Sequence, residues 1–100
     1  MDKLDLAKAK ELRGEIIKRL YDCYVDPVRI VSVNSLLRYK GYYSKDDIKR
    51  AINYLTGPKK EFIHVVYNED DYWNSFIQLT PAGINLAEGN ITDMGVLFHE

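Results

Sequence analysis

Lys45, Lys49, Arg50 and Asn53 stand close together in the stretch SKDDIKRAINYL, residues 44–55. These side chains have the chemistry of contact with a nucleic acid. Lys and Arg neutralise phosphate, the Arg fork matches the acceptor edge of guanine, and Asn matches adenine. On a helix they would lie opposite Ile48, Ala51, Ile52 and Leu55, which recur at i, i+3, i+4 and i+7. Arg38, Lys40, Lys59 and Lys60 flank the stretch and are candidate phosphate contacts. Residues 38–60 carry seven basic side chains against Asp46 and Asp47, a local charge of +5. The rest of the chain carries −6, so a net charge of −1 hides a lopsided distribution. The same stretch also suits an ordinary solvated helix face.

Two features oppose such contact. Asp46 and Asp47 sit at the start of the helix, where they favour its dipole but repel a phosphate. The turn Asn68-Glu69-Asp70-Asp71 is acidic where a backbone-tracking loop would be basic, so it is expected to point away from any DNA. Tyr39, Tyr42 and Tyr43 offer hydroxyls to phosphate in partial compensation.

Other chemistry is poorly represented. His64 and His99 lie far from the lone Cys23 in sequence, so no zinc-ligand spacing exists. His64 reads as a half-exposed strand residue. Phosphate-loop, dinucleotide and nucleophile-elbow patterns are missing. The acidic turn lacks calcium-loop spacing. No cofactor or metal is expected, and the chain does not read as an enzyme. Cys23 reads as a small buried hydrophobe. A single cysteine, an opening MDKLDLAKAK with no apolar leader region, and no run near the ~18 apolar residues of a membrane span point to a cytoplasmic protein off the membrane.

The elements that must position these residues follow from periodicity and punctuation. Asp2 to about Cys23 reads as a helix on Leu12, Ile16 and Leu20, ended by Asp26-Pro27. Gly14 within it offers room for a second helix to approach. Val28–Val31 reads as a short strand. A second helix, Val33–Tyr39, would be capped by Ser32 or Asn34, face Leu36 and Leu37 inward, and close at Gly41. Ser44 with Asp47 forms a capping box for the third helix, which Gly57-Pro58 stops. Residues 61–67 and 72–79 are β-rich runs around the acidic turn and read as a hairpin. Trp73, Ser75, Ile77 and Leu79 would share one face, and Asn74, Phe76 and Gln78 the other. Thr80-Pro81 opens a closing helix that Gly89 ends.

This order predicts an α+β fold, a winged helix-turn-helix: a three-helix core, a β-hairpin wing and a short C-terminal helix. With 100 residues and 46% hydrophobic content, residues 1–100 read as one domain. The tail 90–100 carries Ile91, Met94, Val96, Leu97 and Phe98, and is expected to pack on the domain or on a second copy. The long first helix, Asp2–Cys23, and this tail are the candidate homodimer surfaces.

One segment sharpens the reading. Leu79-Thr80-Pro81-Ala82-Gly83-Ile84-Asn85-Leu86-Ala87-Glu88-Gly89 resembles the L-T-x-x-G-x-x-L-A-x-G segment that follows the wing in small bacterial and prophage-type winged-helix proteins. The tail Ile91–Val96 is similar to the Gly-Val tail of small phage-type members. These proteins relate loosely to ArsR- and MarR-like regulators. The resemblance implies a double-stranded DNA-binding transcriptional regulator, of phage or prophage origin. A winged-helix protein-interaction module without DNA binding is the alternative. Gly83 is expected to let the closing helix sit tightly on the hairpin.

Overall fold

The structure, a computed structural model, describes residues 3–23, 26–38 and 44–98, with the backbone alone at positions 3, 4, 36 and 38. Helix α1 runs Lys3–Asp22. Leu12, Ile16, Ile17 and Leu20 are fully buried along it, as the four-residue spacing requires. Each such side chain contributes about 1.5–3 kcal/mol on leaving water. Cys23 corrects its expectation: it is exposed. The helical phase would have carried position 23 towards the core, but α1 ends at Asp22 and Cys23 lies in the turn beyond it.

Strand β1 is only Val28–Arg29, and helix α2, Ile30–Arg38, begins at once. The expected start at Val33 with a Ser32 or Asn34 cap is therefore wrong. Ile30, Val33 and Leu37 are all buried, so the helical phase from Ile30 places three apolar side chains in the core. A strand through Val31 would have used Ile30 less well. The Ile30 N–H is satisfied by the Ser75 carbonyl at 3.0 Å, so no side-chain cap is needed there. Asn34 is buried within α2 instead of capping it.

Helix α3, Lys45–Leu55, buries Ile48, Ala51, Ile52 and Leu55 as expected. Strands β2, Ile63–Val66, and β3, Phe76–Leu79, pair antiparallel from Ile63 opposite Leu79 to Val66 opposite Phe76. β1 joins the other side of β3, with Val28 opposite Ile77, giving the order β1-β3-β2. Ile63, Val65, Ile77 and Leu79 face the helices; His64, Val66 and Phe76 face solvent. Trp73 and Asn74 do not alternate with this strand. They sit in a single 3-10 turn, Tyr72–Asn74, that shortens β3.

Helix α4, Pro81–Ala87, has Thr80 as N-cap and Pro81 in its first turn. A Cβ on Gly83 would overlap the Phe62 carbonyl oxygen, so this glycine does seat α4 against the hairpin. The Thr80 hydroxyl donates to the Glu61 carbonyl, pinning the same junction. Gly89 follows in the left-handed conformation, φ 79°.

The tail returns across α1. The Leu97 N–H donates to the Lys10 carbonyl at 3.1 Å, and Val96 is buried. Gly14 receives this tail and no helix, since a Cβ there would overlap the Leu97 carbonyl. Among the described residues, no helix is long and apolar enough to cross a membrane.

Candidate nucleic-acid interface

Ser44 and Asp47 set the start of α3. The Asp47 N–H donates to the Ser44 hydroxyl at 3.1 Å, and the Ser44 N–H donates to the Asp47 carboxylate at 3.2 Å. This reciprocal cap fixes where the helix begins and hence which residues face out. Lys45, Asp46, Lys49, Arg50 and Asn53 are all exposed. The helix thus brings four of the expected contact residues onto one open surface. Among the described residues, Lys45, Lys49 and Arg50 form no ion pair.

That surface has two edges. On one, the Lys45 ammonium lies 5.3 Å from the centre of the Trp73 ring and the Lys49 ammonium 4.9 Å from that of Tyr72. On the other, Arg50 borders a cleft of about 310 Å³ between α1 and α3, with Asp5, Lys8, Arg13 and Asp47 around it. Both edges mix signs: Asp5 and Asp47 lie among the cations of the cleft, and Asp71 lies beside Trp73 on the wing side.

Lys59 and Lys60 follow the far end of α3, a helix of 11 residues that is about 16 Å long at 1.5 Å per residue. Lys59 is exposed. The Lys60 ammonium is 2.7 Å from the Asp93 carboxylate and 5.3 Å from the centre of the Tyr54 ring. Lys60 thus already has a carboxylate partner, and it stands apart from the α3 cluster. Arg38 ends α2, its side chain undescribed; Tyr39, Lys40, Gly41, Tyr42 and Tyr43 lie outside the described residues.

The wing is built by its own polar side chains. The Asn68 carboxamide oxygen accepts from the N–H groups of Asp70 and Asp71 at 3.0 and 3.2 Å. Asp71 accepts from the Trp73 N–H at 3.1 Å and from the Asn74 amide at 2.5 Å. The acidic turn is thereby a defined structure, with Glu69 and Asp70 exposed at its tip. Burial, with a smaller contribution from Tyr67, pushes the Tyr72 hydroxyl up to about 12.

Two groups of residues escaped the sequence reading. Tyr72 and Trp73 fall in a run that reads as strand, and only their 3-10 turn directs them at Lys45 and Lys49. The second group is centred on Asp93. Its carboxylate accepts from the Tyr54 hydroxyl at 2.6 Å, from Lys60 at 2.7 Å and from the Gly95 N–H at 3.1 Å. Arg13 lies 3.8 Å above the Tyr54 ring and donates to the Gly95 carbonyl at 2.9 Å. The sequence signal for it is a carboxylate set among Ile91, Met94, Val96 and Leu97 of the tail. Among the described residues, no group of three or more His, Cys, Asp and Glu side chains is placed to hold a metal.

The helices α2 and α3, followed by a β-ribbon beside the second of them, define a winged-helix fold. Among solved structures, the chain is similar to a mutant of MepR, a MarR-family winged-helix regulator, from a multidrug-resistant S. aureus clinical isolate. The TM-score is 0.62 and the identity 21%, covering 77% of this chain and 51% of that one. The chain therefore spans about half the length of MepR. No protein-family model matches the chain. A search of curated proteins finds no match either. The predicted winged-helix fold is thus borne out at the level of architecture.

Proposed function

We propose that this protein is a winged-helix transcriptional regulator that binds duplex DNA through α3. The observation that carries the reading is the exposure of Lys45, Lys49, Arg50 and Asn53 opposite the buried face of Ile48, Ala51, Ile52 and Leu55. In this architecture the second helix of the pair enters the major groove. Lys45 and Lys49 take phosphate, Arg50 takes phosphate or guanine, and Asn53 reads adenine. Arg38, Lys40 and Lys59 are the flanking phosphate contacts; Lys60 joins them only by leaving Asp93. In this reading residues 1–100 act as one domain, in the cytoplasm, by binding rather than by catalysis.

One such module gains affinity by pairing, with half-sites about 34 Å apart. Leu6, Met94 and Leu97 are exposed around one shallow cleft between α1 and the tail. That cleft is the proposed dimer surface.

The test is fluorescence anisotropy with mixed-sequence duplex over a salt series. The double variant Lys49→Ala, Arg50→Ala should weaken binding at least about tenfold at low salt and flatten the log–log salt slope by about two. Negligible duplex binding by both proteins at low salt overturns the proposal. The acidic wing tip favours a second reading, a protein-interaction module. In that case a lysate pull-down should retain one dominant partner that charge reversal at Glu69 and Asp70 releases.

A further inference from the structure

We infer that the base of the wing is a stacking site for unpaired nucleobases, with Tyr67 and Trp73 supplying ring faces and Lys45 and Lys49 taking the adjoining phosphates. For its two lysines this rests on the reading of α3 as a nucleic-acid surface; for its rings it stands on the wing alone.

Three aromatic side chains are contiguous here. Tyr67, just past β2, is 55% exposed. Its ring centre lies 6.3 Å from that of Tyr72, which in turn meets Trp73 edge-on at 5.2 Å. Tyr72 and Trp73 are half-buried against the core, so they anchor the row, while Tyr67 projects. The Asp71 side chain fixes the turn that carries Trp73, so the platform is ordered before any ligand arrives.

The cations complete the site. Lys45 and Lys49 rest on Trp73 and Tyr72, contacts that are weak at an exposed position. A phosphate is a stronger partner for an ammonium than a ring face. A nucleic-acid strand therefore draws the two ammonium groups towards its backbone and uncovers the rings for its bases.

The ligand class follows from what the rings need. A duplex stacks its bases on one another and shows only their edges in the grooves. Every unpaired base offers a face, whatever its sequence. The acidic tip adds to the preference. A duplex carries a charge per about 1.7 Å of axis, against about 3.4 Å for one of its strands, so Glu69 and Asp70 repel it more. Charge and ring faces together favour a single strand over a duplex at the wing.

Trp73 is the single tryptophan of the chain, so its emission reports on this site. The intact protein is titrated at low salt with oligothymidylate, with an abasic strand of equal length, and with a duplex. Oligothymidylate should quench Trp73 and bind about tenfold more tightly than the abasic strand. Tyr67→Ala should reduce that difference to about threefold or less, Trp73 remaining, while leaving duplex binding and the thermal melt unchanged, because Tyr67 is largely exposed. Equal affinity for the two strands, or a difference that Tyr67→Ala leaves unreduced, overturns the inference. Intact duplex binding without single-strand quenching overturns the wing site and leaves the α3 reading standing.

Discussion

Asp93 ties the tail to a remote part of the chain, reaching the end of α3 through Tyr54 and the following turn through Lys60, while the Gly95 N–H holds it locally. Burial by itself would raise its pKa, but these donors outweigh burial and hold the carboxyl below its usual 3.8. The same contact, with Tyr54 adding to it, raises Lys60. A carboxyl depressed in the folded state favours folding above its unfolded pKa. That contribution is lost as pH falls through the depressed folded value. Asp93→Asn keeps the shape but removes the charge. It should cost about 1–2 kcal/mol at neutral pH, the scale of hydrogen bonds to a charged group with one partly exposed partner. It should also flatten the fall in stability below about pH 4, where ordinary aspartates titrate. Urea melts of both proteins at neutral and acid pH check this. Equal losses at every pH would show that the carboxylate acts only as a spacer.

At the scale of elements, α4 shows how much a close approach can demand of one residue. Its Thr80 cap, the Pro81 start and the Leu86 anchor all place Gly83 directly over the Phe62 carbonyl. Because the obstacle is backbone at the root of β2, it has no rotamer to give. Gly83→Ala should therefore cost at least about 2 kcal/mol, an overpacking penalty that outweighs alanine's better helix propensity. Thermal melts measure it, and a neutral or stabilising result would mean that α4 sits further from the hairpin. This junction was legible in the sequence because its signals are local: Thr-Pro, then Gly, then Leu. The cap and apolar face of α3 were legible for the same reason. The start of α2 was less so, since β-branched Ile30 and Val31 suit a strand locally. Burial of Ile30, Val33 and Leu37 together decides for the helix. Cys23 failed because its exposure depends on where α1 stops, and nothing at position 23 marks the stop.

For the molecule as a whole, the candidate site was legible in residue type and spacing on α3, and illegible wherever a distant partner mattered. Lys60 is paired 33 positions away with Asp93, and Lys45 and Lys49 meet rings that a continuous strand would turn elsewhere. What charge counting did reveal is a dipolar arrangement, a cationic α3 beside an acidic wing tip. Such an arrangement acts at a distance through the summed potential, not only through contact. Glu69 and Asp70 are exposed, so Glu69→Lys with Asp70→Lys should leave stability within about 0.5 kcal/mol of the parent. Duplex affinity should rise several-fold at low salt, because repulsion of the approaching backbone is removed. Since the tip is expected to point away from a duplex bound at α3, this gain is one of field alone. It should fade as the screening length shrinks towards about 8 Å at physiological ionic strength. Anisotropy titrations across a salt series distinguish the cases. A gain that persists at high salt would place the tip in contact with the backbone. Unchanged affinity at every salt would mean that the wing charge does not reach the ligand bound on α3.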